Sequence, residues 1–212
     1  MSPPRRTAET TAELRASLIA HAQRLVAREG ASALTMRALA AEAGCAVGLP
    51  YKVFTDRRDL VAELVHAEFV EMQLVVDELV ARAGTGTIGG NLAWFADLLL
   101  ASPAVAVAQE VFTDEQLMKT VTTRIHQTGA GPATFETILT SYLQAEKRAG
   151  RIEDDVDAAA FGFLLAGAIH NLIVSGPGYP RPTKRQLRRV LTAVAARLTP
   201  MQPPEDDDAT TR

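Results

Sequence analysis

Apolar residues recur at three- and four-residue intervals along most of the chain, and no stretch shows the strict alternation of a strand. Leu14, Leu18, Ala22 and Leu25 form one such stripe, opened by Thr10 with Glu13 as a capping box and closed at Gly30. Thr35 can cap a short helix that turns Met36, Leu39 and Ala40 inward, and Gly44 suits the left-handed residue that ends it. A second short pattern runs from Val47 to Phe54. Asp56, with Asp59 three residues later, places two carboxylates over the start of a long helix, from about Arg57 to Arg82. Leu60, Leu64, Met72, Val75 and Leu79 mark its inner face. At 1.5 Å per residue it spans roughly 39 Å, enough to link two domains.

The rest of the chain is punctuated as a bundle. The AGTGTIGG segment, 83–90, reads as a flexible loop, and Asn91 to Ala101 as an apolar helix. Ser102-Pro103 opens a helix to about Phe112, and Thr113 with Gln116 caps the next, which stops near Gly129. Gly131-Pro132 opens another to Gly150, and Asp154 or Asp155 starts one that reaches about Ser175. After the GPGYPRP loop, 176–182, Thr183 with Gln186 caps the last helix, to near Leu198. The acidic, proline-containing tail, 200–212, reads as disordered, and so does the basic arm at 1–9. The fold class is all-α.

Charge refines this picture. The chain carries a net charge of −3, yet residues 1–60 hold nine Arg and Lys against six Asp and Glu, leaving +3 there and −6 beyond. That asymmetry fits a DNA-facing domain on an acidic body. The single cysteine, Cys45, excludes an internal disulfide and a cysteine metal cluster, and is read as packing. His21, His66, His126 and His170 are scattered, with no nucleophile elbow or phosphate loop, so no catalysis, cofactor or metal is expected. The apolar run from Val156 to Val174 is broken by Asp157, His170 and Asn171, too short for a membrane span. With no signal-type segment at its start, the chain is expected in the cytoplasm.

Thr35, Ala38, Ala43-Gly44, Gly48, Tyr51 and Phe54, followed by Asp56, Arg57, Asp59 and Leu60, occur in an order and spacing that resembles the DNA-binding domain of the tetracycline-repressor (TetR) family. The resemblance implies a three-helix helix-turn-helix domain over 10–55, then a helical-bundle ligand-binding and dimerisation domain over 56–199. It also implies a homodimeric repressor of a palindromic double-stranded operator, released by a small molecule. Two residues depart from the pattern. Ala46 replaces the usual capping serine of the recognition helix, and Pro50 stands where an interior proline would cost about 3 kcal/mol. The recognition helix is therefore expected to start late, near Gly48 or Leu49, or on a tight non-α turn. The alternative is a helical small-molecule binding or interaction protein whose DNA-binding module has decayed.

Carried onto this chain, the DNA-contact candidates are Thr35, Arg37, Val47, Gly48, Leu49, Tyr51, Lys52 and Arg57. Lys52 is the one long cation of the recognition helix, and the Tyr51 hydroxyl can bond a phosphate. For an apolar or amphipathic effector the candidates are Trp94, Phe95, Phe112 and Met118, with His126, Phe135, Tyr142 and His170. For the dimer interface they are the stripe Phe161, Gly162, Leu165, Ile169 and Leu172, with Leu187 and Leu191 of the last helix.

Overall fold

The computed structural model describes residues 5–127, 133–175, 179 and 181–199. Among them are ten α-helices and one 3-10 turn, and no strand. The helix-turn-helix end comprises α1 (Arg5–Glu29), the 3-10 turn Ala31–Ala33, α2 (Met36–Glu42) and α3 (Gly48–Val53). The long α4 (Arg57–Ala81) leads into α5 (Ile88–Leu100), α6 (Pro103–Thr113), α7 (Glu115–Gln127), α8 (Ala133–Arg148), α9 (Ala158–Val174) and α10 (Lys184–Ala195).

Local side-chain chemistry sets most of these boundaries. Thr35 accepts the Ala38 N–H at 3.1 Å, and Asp56 accepts that of Asp59 at 2.9 Å. Ser102 caps α6 in front of Pro103, and Thr183 and Gln186 form the reciprocal box expected for α10. Each such cap stabilises its helix by about 1 kcal/mol.

Four starts differ from the sequence expectation. Helix α1 begins at Arg5, so Thr10 lies within it and residues 5–9 are helical; residues 1–4 of the expected arm lie outside the described residues. Nothing after Pro4 breaks a helix, and proline is tolerated at a helix entrance. Helix α5 starts three residues early because Thr87 caps it, accepting the Gly90 N–H at 3.0 Å. Gly89 therefore serves packing: a Cβ there would lie 2.8 Å from the Thr192 Cα of α10. Asp114, not Thr113, caps α7, taking the N–H groups of Gln116 and Leu117 at 3.1 and 3.0 Å. Asp157 caps α9 in place of Asp154 or Asp155. The Gly131-Pro132 start, most of the 176–182 loop and the 200–212 tail lie outside the described residues.

Two apolar cores result. The first joins α1, α2, α3 and the front half of α4 to Val107 and Val111 of α6 and to Leu117, Val121 and Ile125 of α7. The second joins the back half of α4 to α5, α8, α9 and α10. Helix α8 lies along α9, and α10 along α5.

This packing draws much of the stripe expected at a dimer interface into the single chain. Gly162, Leu165, Ile169 and Leu191 are buried within the single chain, Phe161 and Leu187 pack half-buried on the second core, and Leu172 is half-buried. A Cβ on Gly162 would overlap Thr140 of α8, at 2.9 Å from its backbone N. Helix α9 is apolar nearly all round, so periodicity alone could not say which face the chain keeps for itself. Its outward face carries Phe163 and Leu164, 62% and 61% exposed. No single helix among the described residues is long and apolar enough to cross a membrane.

Candidate DNA-binding face and effector cavity

Helix α2 ends in a two-bond reversal. Gly44, at φ 62°, follows Ala43; its N–H reaches Ala41 O at 3.2 Å and that of Cys45 reaches Ala40 O at 2.9 Å. This is a Schellman motif, and it needs a residue at ease in the left-handed region. Cys45 packs half-buried against the first core.

The start of α3 resolves the problem of Ala46 and Pro50. The Leu49 N–H bonds to Ala46 O at 2.9 Å, a tight turn that uses the backbone carbonyl where a side-chain cap is missing. With the helix beginning at Gly48, Pro50 is its third residue. An N–H there has no partner within the helix, so its absence breaks no bond. The Pro50 ring is buried beside Val53, and its carbonyl accepts the Phe54 N–H at 2.8 Å. The late, tight start expected from the sequence is what the structure shows.

Opposite that buried side, Tyr51 and Val47 are 57% and 47% exposed, and Gly48 and Lys52 are exposed with them. Leu49 is half-buried. Thr35 and Arg37, at the front of α2, are exposed as well. Neither Arg37 nor Lys52 forms an ion pair among the described residues.

Arg57 is placed differently from the expectation of a phosphate contact. Its Nε donates to Leu34 O at 2.6 Å and its Nη2 to Ala31 O at 3.2 Å, while Nη1 pairs with Glu110 of α6. The guanidinium thus ties α4 to the 3-10 turn and to α6. Arg58 extends the tie to Asp114 at 2.7 Å. Arg124 of α7 bonds Asp59 and, at 2.9 Å, Glu63, and Arg15 of α1 bonds Glu63 at 2.8 Å. Burial pushes the Asp59 carboxyl up, but the Thr55 N–H and Arg124 outweigh it and hold it below the usual aspartate range. Backbone N–H groups, that of Leu117 foremost, and Arg58 likewise hold Asp114 low.

Residues 18–64, which span this arrangement from α1 to α4, match the sequence model of the bacterial regulatory proteins, tetR family. That stretch carries the N-terminal signature of the tetR family. The chain's fold is shared along nearly the whole length with solved TetR-family structures. A TetR-family transcriptional regulator from Agrobacterium tumefaciens is 16% identical, with a TM-score of 0.63 over 90% of this chain and 100% of that one. A TetR-family regulator from Pectobacterium atrosepticum is 17% identical, with a TM-score of 0.61 over 92% and 98%. The transcriptional regulator FadR from Bacillus subtilis, in complex with stearoyl-CoA, is 18% identical, with a TM-score of 0.53 over 86% and 96%. No curated protein sequence matches the chain. The helix-turn-helix end is of the type found in bacterial regulatory proteins.

A cavity of about 160 Å³ opens between the two cores. Its walls come from α4, α5, α6, α7, α8 and α9 and are apolar apart from Glu68, Ser102, Thr122 and His170. Of the effector candidates, Phe112, Met118, Phe135 and His170 line it. The other four do not. Phe95 is buried in the second core, and Trp94 lies under Arg82, whose guanidinium carbon is 3.8 Å from the ring centre. His126 is exposed near the end of α7. Tyr142 is locked in a closed polar network, receiving the Asn91 amide at 3.1 Å and donating to Glu146 at 2.5 Å. Burial, and then Glu146, push its hydroxyl well above the usual tyrosine value.

Glu68 and Ser102 are among the polar lining residues that are absent from the sequence-based candidates. Glu68 belongs to a helix read as a connector, and Ser102 already had a role as the cap of α6. The signal available was a lone acid among Val65, Phe69 and Met72 on the inner side of α4.

Proposed function

We propose that this protein is a homodimeric transcriptional repressor that binds a palindromic operator through α3 and is released by an apolar or amphipathic small molecule held in the cavity. The observation that carries the DNA reading is the exposed side of α3. Tyr51 and the unpaired Lys52 stand beside Arg37 on a rigidly turned helix. Tyr51, Lys52, Arg37 and Thr35 supply phosphate and base-edge donors, and Val47 offers a surface to a thymine methyl. The regular α3 supports a working module over a decayed one, because Pro50 costs it no hydrogen bond.

Dimerisation is assigned to the outward sides of α9 and α10, where Phe163, Leu164 and Val190 are exposed. Exposed apolar side chains of this kind are what a two-fold partner would cover, and two-fold symmetry sets two recognition helices about 34 Å apart, one DNA turn. The effector reading rests on the cavity and gains support from the stearoyl-CoA held by the similar FadR structure. Helices α6 and α7 wall the cavity and also grip the front of α4 through Glu110, Asp114 and Arg124. An occupant that shifts them therefore acts on the DNA-binding domain.

The test is selection of bound fragments from a random duplex library, followed by salt titration of the winner against wild type and Lys52→Ala. A palindromic consensus, with a salt slope that flattens by about one in the variant, is expected. Absence of any enriched sequence at low salt would overturn the reading.

A further inference from the structure

The cavity holds one acid that has no cation. Glu68 is 8% exposed and lines a wall made otherwise of Val65, Phe69, Met72 and the apolar sides of α6 and α7. Its Oε1 accepts the Gln23 amide at 2.9 Å, and its Oε2 accepts the Ser102 hydroxyl at 2.5 Å. Both donors are neutral. Among the described residues no Arg, Lys or His pairs with it, whereas Asp59, Glu63, Glu110, Asp114 and Glu146 all have an arginine. A charge of the same sign stands beside it: Glu71 shares the Gln23 amide at 3.1 Å. Burial, only partly offset by the two neutral donors, raises the Glu68 carboxyl above the usual glutamate value. His170, the other ionisable group on the cavity wall, stands exposed and edge-on to Phe112 with ring centres 6.3 Å apart.

A buried acid is ordinarily paired, and one kept unpaired against a carbon-lined void is left needing a counter-charge. Two neutral hydrogen bonds leave lone pairs of the carboxylate free to take a further donor. We infer that the effector cavity is built for a lipophilic cation, a primary or secondary amine on an apolar body, with Glu68 as its counter-ion. This rests on the effector reading of the cavity and narrows it to a ligand class.

The site also places the ligand at a structural joint. Glu68 holds Ser102, whose hydroxyl oxygen accepts the Ala104 N–H at 3.1 Å and so caps α6, and it holds Gln23 of α1. An ammonium on Glu68 competes with both donors, so its arrival is felt at the start of α6 and along α1.

The test uses three probes with one apolar body and different heads: 4-phenylbutylamine, 4-phenylbutanol and 4-phenylbutyrate. Binding to the full-length protein is measured by calorimetry at pH 7.5. The amine is expected to bind about tenfold more tightly than the alcohol, and the carboxylate more weakly than either. In Glu68→Gln the amine and the alcohol should bind within about twofold of each other, the alcohol reporting that the cavity is intact. Ser102→Ala, which removes a neutral donor and leaves the charge, should keep the amine preference, so the inference is also tested apart from the folding of Glu68→Gln. Equal wild-type binding of amine and alcohol, or an amine preference that survives Glu68→Gln, overturns the cation assignment and leaves the cavity reading standing. Binding of none of the three by wild type overturns both.

Discussion

Replacing Arg124 by methionine removes the guanidinium while keeping most of the apolar bulk of its stem. Arg124 stands on α7 and bonds Asp59 and Glu63 across to α4, with side chains 24%, 18% and 19% exposed. That burial sits between two regimes. An exposed pair contributes about 0–1 kcal/mol, and breaking a buried one costs about 3–5 kcal/mol. Glu63 keeps Arg15 at 2.8 Å in the variant, whereas Asp59 keeps only its bond from the Thr55 N–H. The expected loss at pH 7 is therefore about 1–3 kcal/mol, seen as a lower urea midpoint with an unchanged slope. The pH dependence supplies a second readout. Because the native Asp59 pKa is depressed, its contribution is complete above the unfolded value, about 3.9, and is lost as pH falls through the lower native value. Arg124 is part of that depression, so the gap between wild type and variant should narrow as pH falls below about 4. An unchanged midpoint at pH 7, or a gap that stays constant into acid, would refute the reasoning.

Pro50→Ala should destabilise by about 1–2 kcal/mol, because a buried ring is lost and no helix bond is gained; a stabilisation near 3 kcal/mol would show that proline strains α3 after all. Phe163→Glu combined with Leu164→Glu should give a folded monomer in light scattering with operator affinity reduced at least about tenfold, since neither side chain serves the core; an intact dimer would move the interface elsewhere. Burial raises the Glu68 pKa, so the folded protein holds that proton more tightly than the unfolded chain, and stability from this group falls as pH rises from about 4.3 through the raised native value. Glu68→Gln should erase that fall, and denaturant midpoints across this window in wild type and variant check it.

What the sequence made legible is what local chemistry determines. Thr35, Asp56, Ser102, Thr183 and Gly44 sit at helix ends where a free N–H, a free carbonyl or a left-handed residue must be accommodated within four residues, and the structure uses each in that way. The exposed side of α3 follows from the same locality, because burying Pro50, Val53 and Phe54 turns Tyr51 and Lys52 outward. Contacts with partners far along the chain are not legible in this way. Arg57 looks from its position like a solvent-facing cation, yet its partners lie 23, 26 and 53 residues away. The apolar stripe of α9 could not declare whether α8 or a second subunit would cover it, since both sides of that helix are rich in carbon. Glu68 is the sharpest instance. On a helix surface an acid is expected in water, and only the convergence of Gln23, Ser102 and the cavity wall shows it kept inside without a cation. The same long-range contacts connect the two ends of the molecule. The carboxylate that faces the cavity also holds the cap of α6, and α6 holds Arg57, which fixes the turn before α2. A charge placed in the cavity is thus linked, through Glu68, Ser102, α6, Glu110 and Arg57, to the turn before α2, and in the proposed function that chain of contacts carries its binding to the exposed side of α3.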